Sequence, residues 1–291
     1  MDRKDFIKSL SIVMGSPIIT KAETLLNELS KSDNTERMPV FFIGHGNPMH
    51  ALHNNNFTKT LNSIPQTILK PKAILVISAH WLTRGTYVST TANPKTIYDF
   101  GGFPDELYRV KYEPTGAPEL ANEIKEKISS PEIKPDNTMG LDHGTWTVLK
   151  HIYPAADIPT FQLSIDFSKP AAFHFELAKQ LTYLRDKGVL IIGSGNLVHN
   201  LGMLDFNRPD SGYDWALEFD AKVKELLEKG DLKSLVDYEK LGKSALLSIP
   251  TNDHYLPMLY SLALKTEKEN ISQLYEGLEA GSISMRSFII K

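Results

Sequence analysis

The chain has 291 residues, 41% hydrophobic and 23% charged, enough apolar material for a sizeable core and the composition of an ordinary soluble globular protein. Its 32 Lys and Arg against 35 Asp and Glu give a formal charge of −3 with the basic residues dispersed, so nothing points to nucleic acid as a partner. Cysteine is absent, which excludes disulfides, thiolate metal sites and a cysteine nucleophile together, so any metal must be held by nitrogen and oxygen.

Residues 1–37 read as a polar, helix-prone extension, with apolar positions at Phe6, Ile7, Leu10 and Ile12 and again at Leu25, Leu26 and Leu29. With Asp2 and Asp5 and no long apolar run, this start does not read as a signal peptide, and no stretch reaches the ~18 apolar residues of a membrane span. No membrane association and a cytoplasmic location are therefore expected. A catalytic body is expected over 38–291, without internal repeat or linker.

The body opens on Val40-Phe41-Phe42-Ile43, a continuous β-favouring run. Similar runs follow at Ala73 to Ile77, Thr160 to Ile165 and Val189 to Ile192, alternating with helical periodicity at Ala117 to Ile128 and Ala171 to Arg185. Tyr87 to Thr90 and Ser282 to Ile290 read as additional strands, antiparallel to the rest. The pattern predicts an α/β fold: a single domain with a central mixed β-sheet flanked by helices, and a ligand site beyond the carboxyl ends of the strands.

Five of the nine histidines lie in short segments rich in Gly, Asp or Asn: His45, His80, His143, His199 and His254. His45 and His80 follow buried runs closely and His199 follows a third at a greater distance, so three imidazoles converge on one edge of the sheet. Imidazole is both a common ligand of zinc and iron and the side chain that moves protons near neutral pH, which points to a metal-dependent enzyme. Gly44 and Gly46 let the backbone turn sharply around His45, Trp81 is suited to walling a pocket, and Asp253 stands where it could orient His254. His50, His53, His151 and His174 carry weaker patterns and read as structural or surface residues.

Asp99-Phe100-Gly101 matches the kinase metal tripeptide, but no Gly-rich phosphate loop or His-Arg-Asp segment accompanies it, so it reads as part of the loop Tyr98 to Pro104. Gly193-Ser194-Gly195 lacks the spacing of a serine-hydrolase elbow and reads as a tight strand-to-helix turn.

Six segments taken together resemble, in order and spacing, the class III extradiol ring-cleavage dioxygenases, in the branch named for 4,5-DOPA extradiol dioxygenase, DOPA being dihydroxyphenylalanine. They are Gly44-His45-Gly46-Asn47-Pro48, Ser78-Ala79-His80-Trp81, Tyr98 to Pro104, Asp142-His143-Gly144-Thr145-Trp146, Gly193 to Asn200, and Asp253-His254-Tyr255-Leu256-Pro257. The resemblance implies one metal ion per chain, Zn²⁺ or Fe²⁺, and insertion of both atoms of O₂ into a small aromatic diol of the catechol, DOPA-like class. It places His45 and His80 as metal ligands, His254 as the third, and His199 as either a further ligand or an acid/base. His143 and His199 are then the catalytic pair, and Tyr255 a substrate-binding residue. A zinc hydrolase and a non-catalytic metal-binding protein of the same fold stand as the alternatives. The oligomeric state is not legible.

Overall fold

The computed structural model describes residues 37–291, which form one compact unit; the helical reading of the N-terminal extension falls on residues 1–36, outside the described residues. The four apolar runs become strands β1 (Val40–Gly44), β2 (Ala73–Ser78), β3 (Thr160–Gln162) and β4 (Val189–Gly195). With β5 (Ile271–Tyr275) and β6 (Ser287–Ile290) they make a six-stranded sheet in the order β3-β2-β4-β1-β6-β5. β3, β2, β4 and β1 pair in parallel, whereas β6 runs antiparallel to both β1 and β5. The sheet is mixed, as its strand pattern predicts.

Helices of eight or more residues among the described residues are α1 (Asn56–Ser63), α2 (Pro118–Lys127), α3 (His143–Ile152), α4 (Ala171–Lys179), α5 (Asp214–Lys229) and α6 (Leu256–Ala263). Every residue of β1, β2 and β4 is buried, the condition under which a strand reads as a continuous apolar run rather than an alternating one. Phe41, Ile43, Ile74, Val76, Leu190 and Ile192 pack on one face with α1 and α3. Phe42, Leu75, Ile77 and Ile191 pack on the other with α2, α4, α5 and α6.

One strand departs from expectation. Thr86–Ser89 pairs in parallel with Ile133–Asp136 in a separate two-stranded sheet. The Ser89 hydroxyl accepts the Gln162 N–H at 3.0 Å, a bond a neighbouring strand would otherwise use, and the segment joins the chain just beyond β3 through the Val88–Leu163 bridge and the Ser164 amide, which donates to the Tyr87 carbonyl at 2.8 Å.

A buried ion pair ties α5 to the chain entering β6. Asp220 and Arg286 are 5% and 3% exposed, Arg286 Nη2 donates to Asp220 Oδ2 at 2.5 Å, and the Ser284 hydroxyl donates to Oδ1 at 2.6 Å. Removing one member of such a pair leaves the other charge buried without its main partner. Asp220→Ala is therefore expected to cost about 3 kcal/mol in urea unfolding; a loss below about 1 kcal/mol would show that Glu276 and Gln273 hold Arg286 well enough alone.

Candidate active site

The parallel strands β1, β2 and β4 end together, and their last residues build the floor of the site. His45 follows β1 directly and its amide donates to the Gly195 carbonyl at 3.1 Å; the Ala79 amide, one residue before His80, donates to the Ser194 carbonyl at 3.0 Å. The chain leaving β4 is held from the other side, where the Asn196 amide donates to the His254 carbonyl at 2.9 Å. That approach requires glycine at 195, since a Cβ there would lie 2.1 Å from the same carbonyl oxygen. Gly46, at φ +61°, makes the sharp turn after His45.

Three imidazoles meet above this floor. His80 Nε2 lies 3.0 Å from His45 Nε2 and 3.3 Å from His254 Nε2. The opposite nitrogens of His45 and His254 have hydrogen-bond partners that set their tautomers, and that of His80 faces a carboxylate at a longer distance. Asp253 Oδ2 sits 2.5 Å from His254 Nδ1 and Asp99 Oδ2 sits 3.4 Å from His80 Nδ1, and a carboxylate can only accept. The Ser194 hydroxyl donates to the Gly144 carbonyl at 2.6 Å, so at 3.0 Å it accepts from His45 Nδ1–H. The Nε2 atoms of His45 and His254 are thus bare lone pairs, both aimed at His80 Nε2. Their separations are those of neighbouring ligands about 2.0–2.1 Å from one ion, and His45, His80 and His254 form a set able to hold a metal.

His143, the first residue of α3, stands beside this trio. Its ring centroid is 3.8 Å from that of His80, its Nδ1 is 2.8 Å from Asp99 Oδ2, and its backbone amide donates to Asp99 Oδ1 at 2.9 Å. Asp99 therefore serves both rings at once. It reaches them because Ile97 pairs with Leu141 and accepts the Trp146 indole N–H at 2.9 Å, which lays the loop against the start of α3. Asp142 caps the same helix from the buried side, its carboxyl pushed up to about 6 by burial and by the charge of Asp99.

His199 stacks on His254, ring centroids 3.4 Å apart and planes 8° from parallel. Its ring nitrogens group with Asp253 and His254 rather than with His45 and His80. Three expectations are corrected. Tyr255 does not face the cavity: it is 1% exposed and its hydroxyl donates to the Leu235 carbonyl at 3.0 Å in the core. Gly193-Ser194-Gly195 is the end of β4 and not a turn. Trp81 is likewise buried and does not line the cavity. The cavity itself, about 1210 Å³, opens over the histidines between the loop carrying Asp99, Phe100 and Phe103 and a segment carrying Leu201, Leu204 and Phe206. His50, set aside in the sequence, lines it too.

Burial, then the charge of neighbouring imidazoles, holds His45 and His80 well below the usual imidazole range. Burial also lowers His254, against the pull of Asp253, and pushes His199 down to about 3. Asp253 is raised by burial but held far below the usual carboxylate range by its bond with His254. The folded chain thus refuses protons that the unfolded chain takes up near 6.5. The stability these neutral rings contribute is complete above 6.5 and is lost as pH falls from there toward 3. Metal-free protein should therefore show a lower urea midpoint at about pH 5 than at about pH 7, His199 alone accounting for roughly 2 kcal/mol; a level midpoint would contradict this.

A pocket-lining cluster of imidazoles beside an Asp-held histidine, at the ends of the parallel strands of a mixed α/β sheet, is the kind of site that metal-dependent enzymes use. The family model described as "Catalytic LigB subunit of aromatic ring-opening dioxygenase" matches residues 37–281, and the chain belongs to that family of ring-cleaving oxidoreductases. Among its relatives, the 4,5-DOPA dioxygenase extradiol of Escherichia coli (strain K12) is 44% identical over 261 residues, 87% of this chain and 95% of that one. The protein of the same name from Beta vulgaris is 37% identical over 267 residues, covering 89% and 98%. A crystal structure of an uncharacterized protein from Escherichia coli K12 superposes with a TM-score of 0.77 at 41% identity, covering 88% of this chain and 100% of that one. No helix among the described residues is long and apolar enough to cross a membrane.

Proposed function

We propose that this protein opens the ring of a catechol of the DOPA class with O₂ at an iron(II) ion held by His45, His80 and His254. The observation that carries the reading is the convergence of three Nε2 atoms, that of His80 lying 3.0 Å and 3.3 Å from those of His45 and His254, with Nδ1 of His45 and His254 engaged elsewhere, in a group able to hold a metal. When bound, the ion supplies a redox-active centre with open positions for the diol oxygens and O₂; zinc suits the same donors but has no redox chemistry.

The proton work falls to His143. Its Nδ1–H is committed to Asp99, so Nε2 is the free base that takes a hydroxyl proton from the diol, and the Asp99 carboxylate steadies the imidazolium until the proton is returned to oxygen during ring opening. His199, held neutral by burial, suits a polar contact at the oxygen side better than proton storage. Phe100 and Phe103 offer apolar walls to the ring and keep bulk water from it. Family membership favours this reading over a zinc hydrolase.

Anaerobic loading with iron(II), then addition of O₂ with a panel of catechols, should yield coloured ring-opened products. Turnover that continues without O₂ would replace the reading with hydrolysis.

A further inference from the structure

One stretch of cavity wall takes no part in this chemistry. His50, Asn55 and Glu279 stand together there, and their hydrogen bonds reveal where the protons lie. Asn55 caps α1, its Oδ1 accepting the Thr58 amide at 2.9 Å, which fixes the side chain so that Nδ2 faces His50 Nδ1 at 3.2 Å. An NH₂ group only donates, so Nδ1 is the acceptor and the ring proton sits on Nε2, which donates to Glu279 Oε2 at 2.9 Å. The contact orients Glu279, which has no Lys or Arg partner among the described residues.

That carboxylate is 23% exposed, toward the cavity, and no Lys or Arg stands among the described residues that line the cavity. Asp210 adds a second carboxylate to the same lining. The Tyr275 phenol registers both: burial first, then the charges of Glu279 and Asp210, push it up.

We propose that Glu279, oriented by His50, receives a cationic group of the substrate, so that the favoured substrates are catechols bearing an ammonium on a short side chain. A carboxylate on that side chain then adds no affinity, because it finds no cation in the wall and gives up its hydration without return. The catechol half of this assignment rests on the dioxygenase reading; the ammonium half rests on Glu279 alone. An ammonium–carboxylate hydrogen bond is roughly twice as strong as a neutral one, and its loss is readable as an affinity ratio.

The test is anaerobic calorimetry on the iron(II)-loaded full chain with dopamine, ethylcatechol and dihydrocaffeate. Dopamine is expected to bind about tenfold or more tightly than dihydrocaffeate. Glu279→Gln keeps the shape and an oxygen for His50 Nε2–H, and should reduce the dopamine-to-ethylcatechol affinity ratio by about tenfold. An unchanged ratio in the variant, or equal binding of dopamine and dihydrocaffeate by the unsubstituted chain, overturns the proposal. Admitting O₂ to the same samples separates the two readings: a shifted ratio without ring opening retains the ammonium subsite and sinks the dioxygenase, and ring opening with an unshifted ratio does the reverse.

Discussion

Alanine at His45, His80 or His254 is expected to leave a folded protein that has lost more than about a hundredfold in metal affinity. Residues that merely orient a ligand, the role the proposed site gives Ser194, Asp99 and Asp253, typically matter by about 10–100-fold, and a ligand itself must matter more. The fold should survive because the three rings face a cavity and are not wedged in the apolar core. Metal content after dialysis, with circular dichroism as the check on folding, decides the matter. Full stoichiometric metal in all three variants would remove them as the ligand set.

His143→Gln is the second large effect: turnover should fall by about 10²–10⁴-fold with metal content preserved. Glutamine can still hydrogen-bond to Asp99 but has no imidazole to carry a proton, so the substitution separates positioning from proton transfer. The corresponding change at His199 should slow turnover and also loosen the metal, since its ring is stacked on His254. Metal loss in the His143 variant with none in the His199 variant would exchange their roles, and normal turnover in either would strike that residue from the chemistry.

The parts of the fold that were legible in the sequence are those governed by local pattern. β1, β2 and β4 are buried on both faces and so appear as unbroken apolar runs, and the histidines that follow them inherit their position from the strand ends. What the pattern could not carry was pairing across long separations. Asp99 meets His143 from 44 residues away and Glu279 meets His50 from 229, and neither carboxylate, one in a loop and the other in a two-residue strand, has a local signature. Ser194 was hidden between two glycines that resemble a turn, although the strand simply runs on through them. Tyr255 shows the limit of adjacency: it neighbours His254 in sequence, but one step at the start of α6 swings its side chain to the opposite side, into the core against Tyr238 and Phe219.

The central claim, that both atoms of O₂ enter a catechol ring opened at this site, is tested most directly by single-turnover reaction of the anaerobic iron(II)-loaded protein with a catechol and isotopically heavy O₂, trapped quickly for mass spectrometry. The expected product carries two heavy oxygen atoms, with one O₂ consumed per ring opened. A product that carries one heavy atom or none, its oxygen drawn from water, would contradict it.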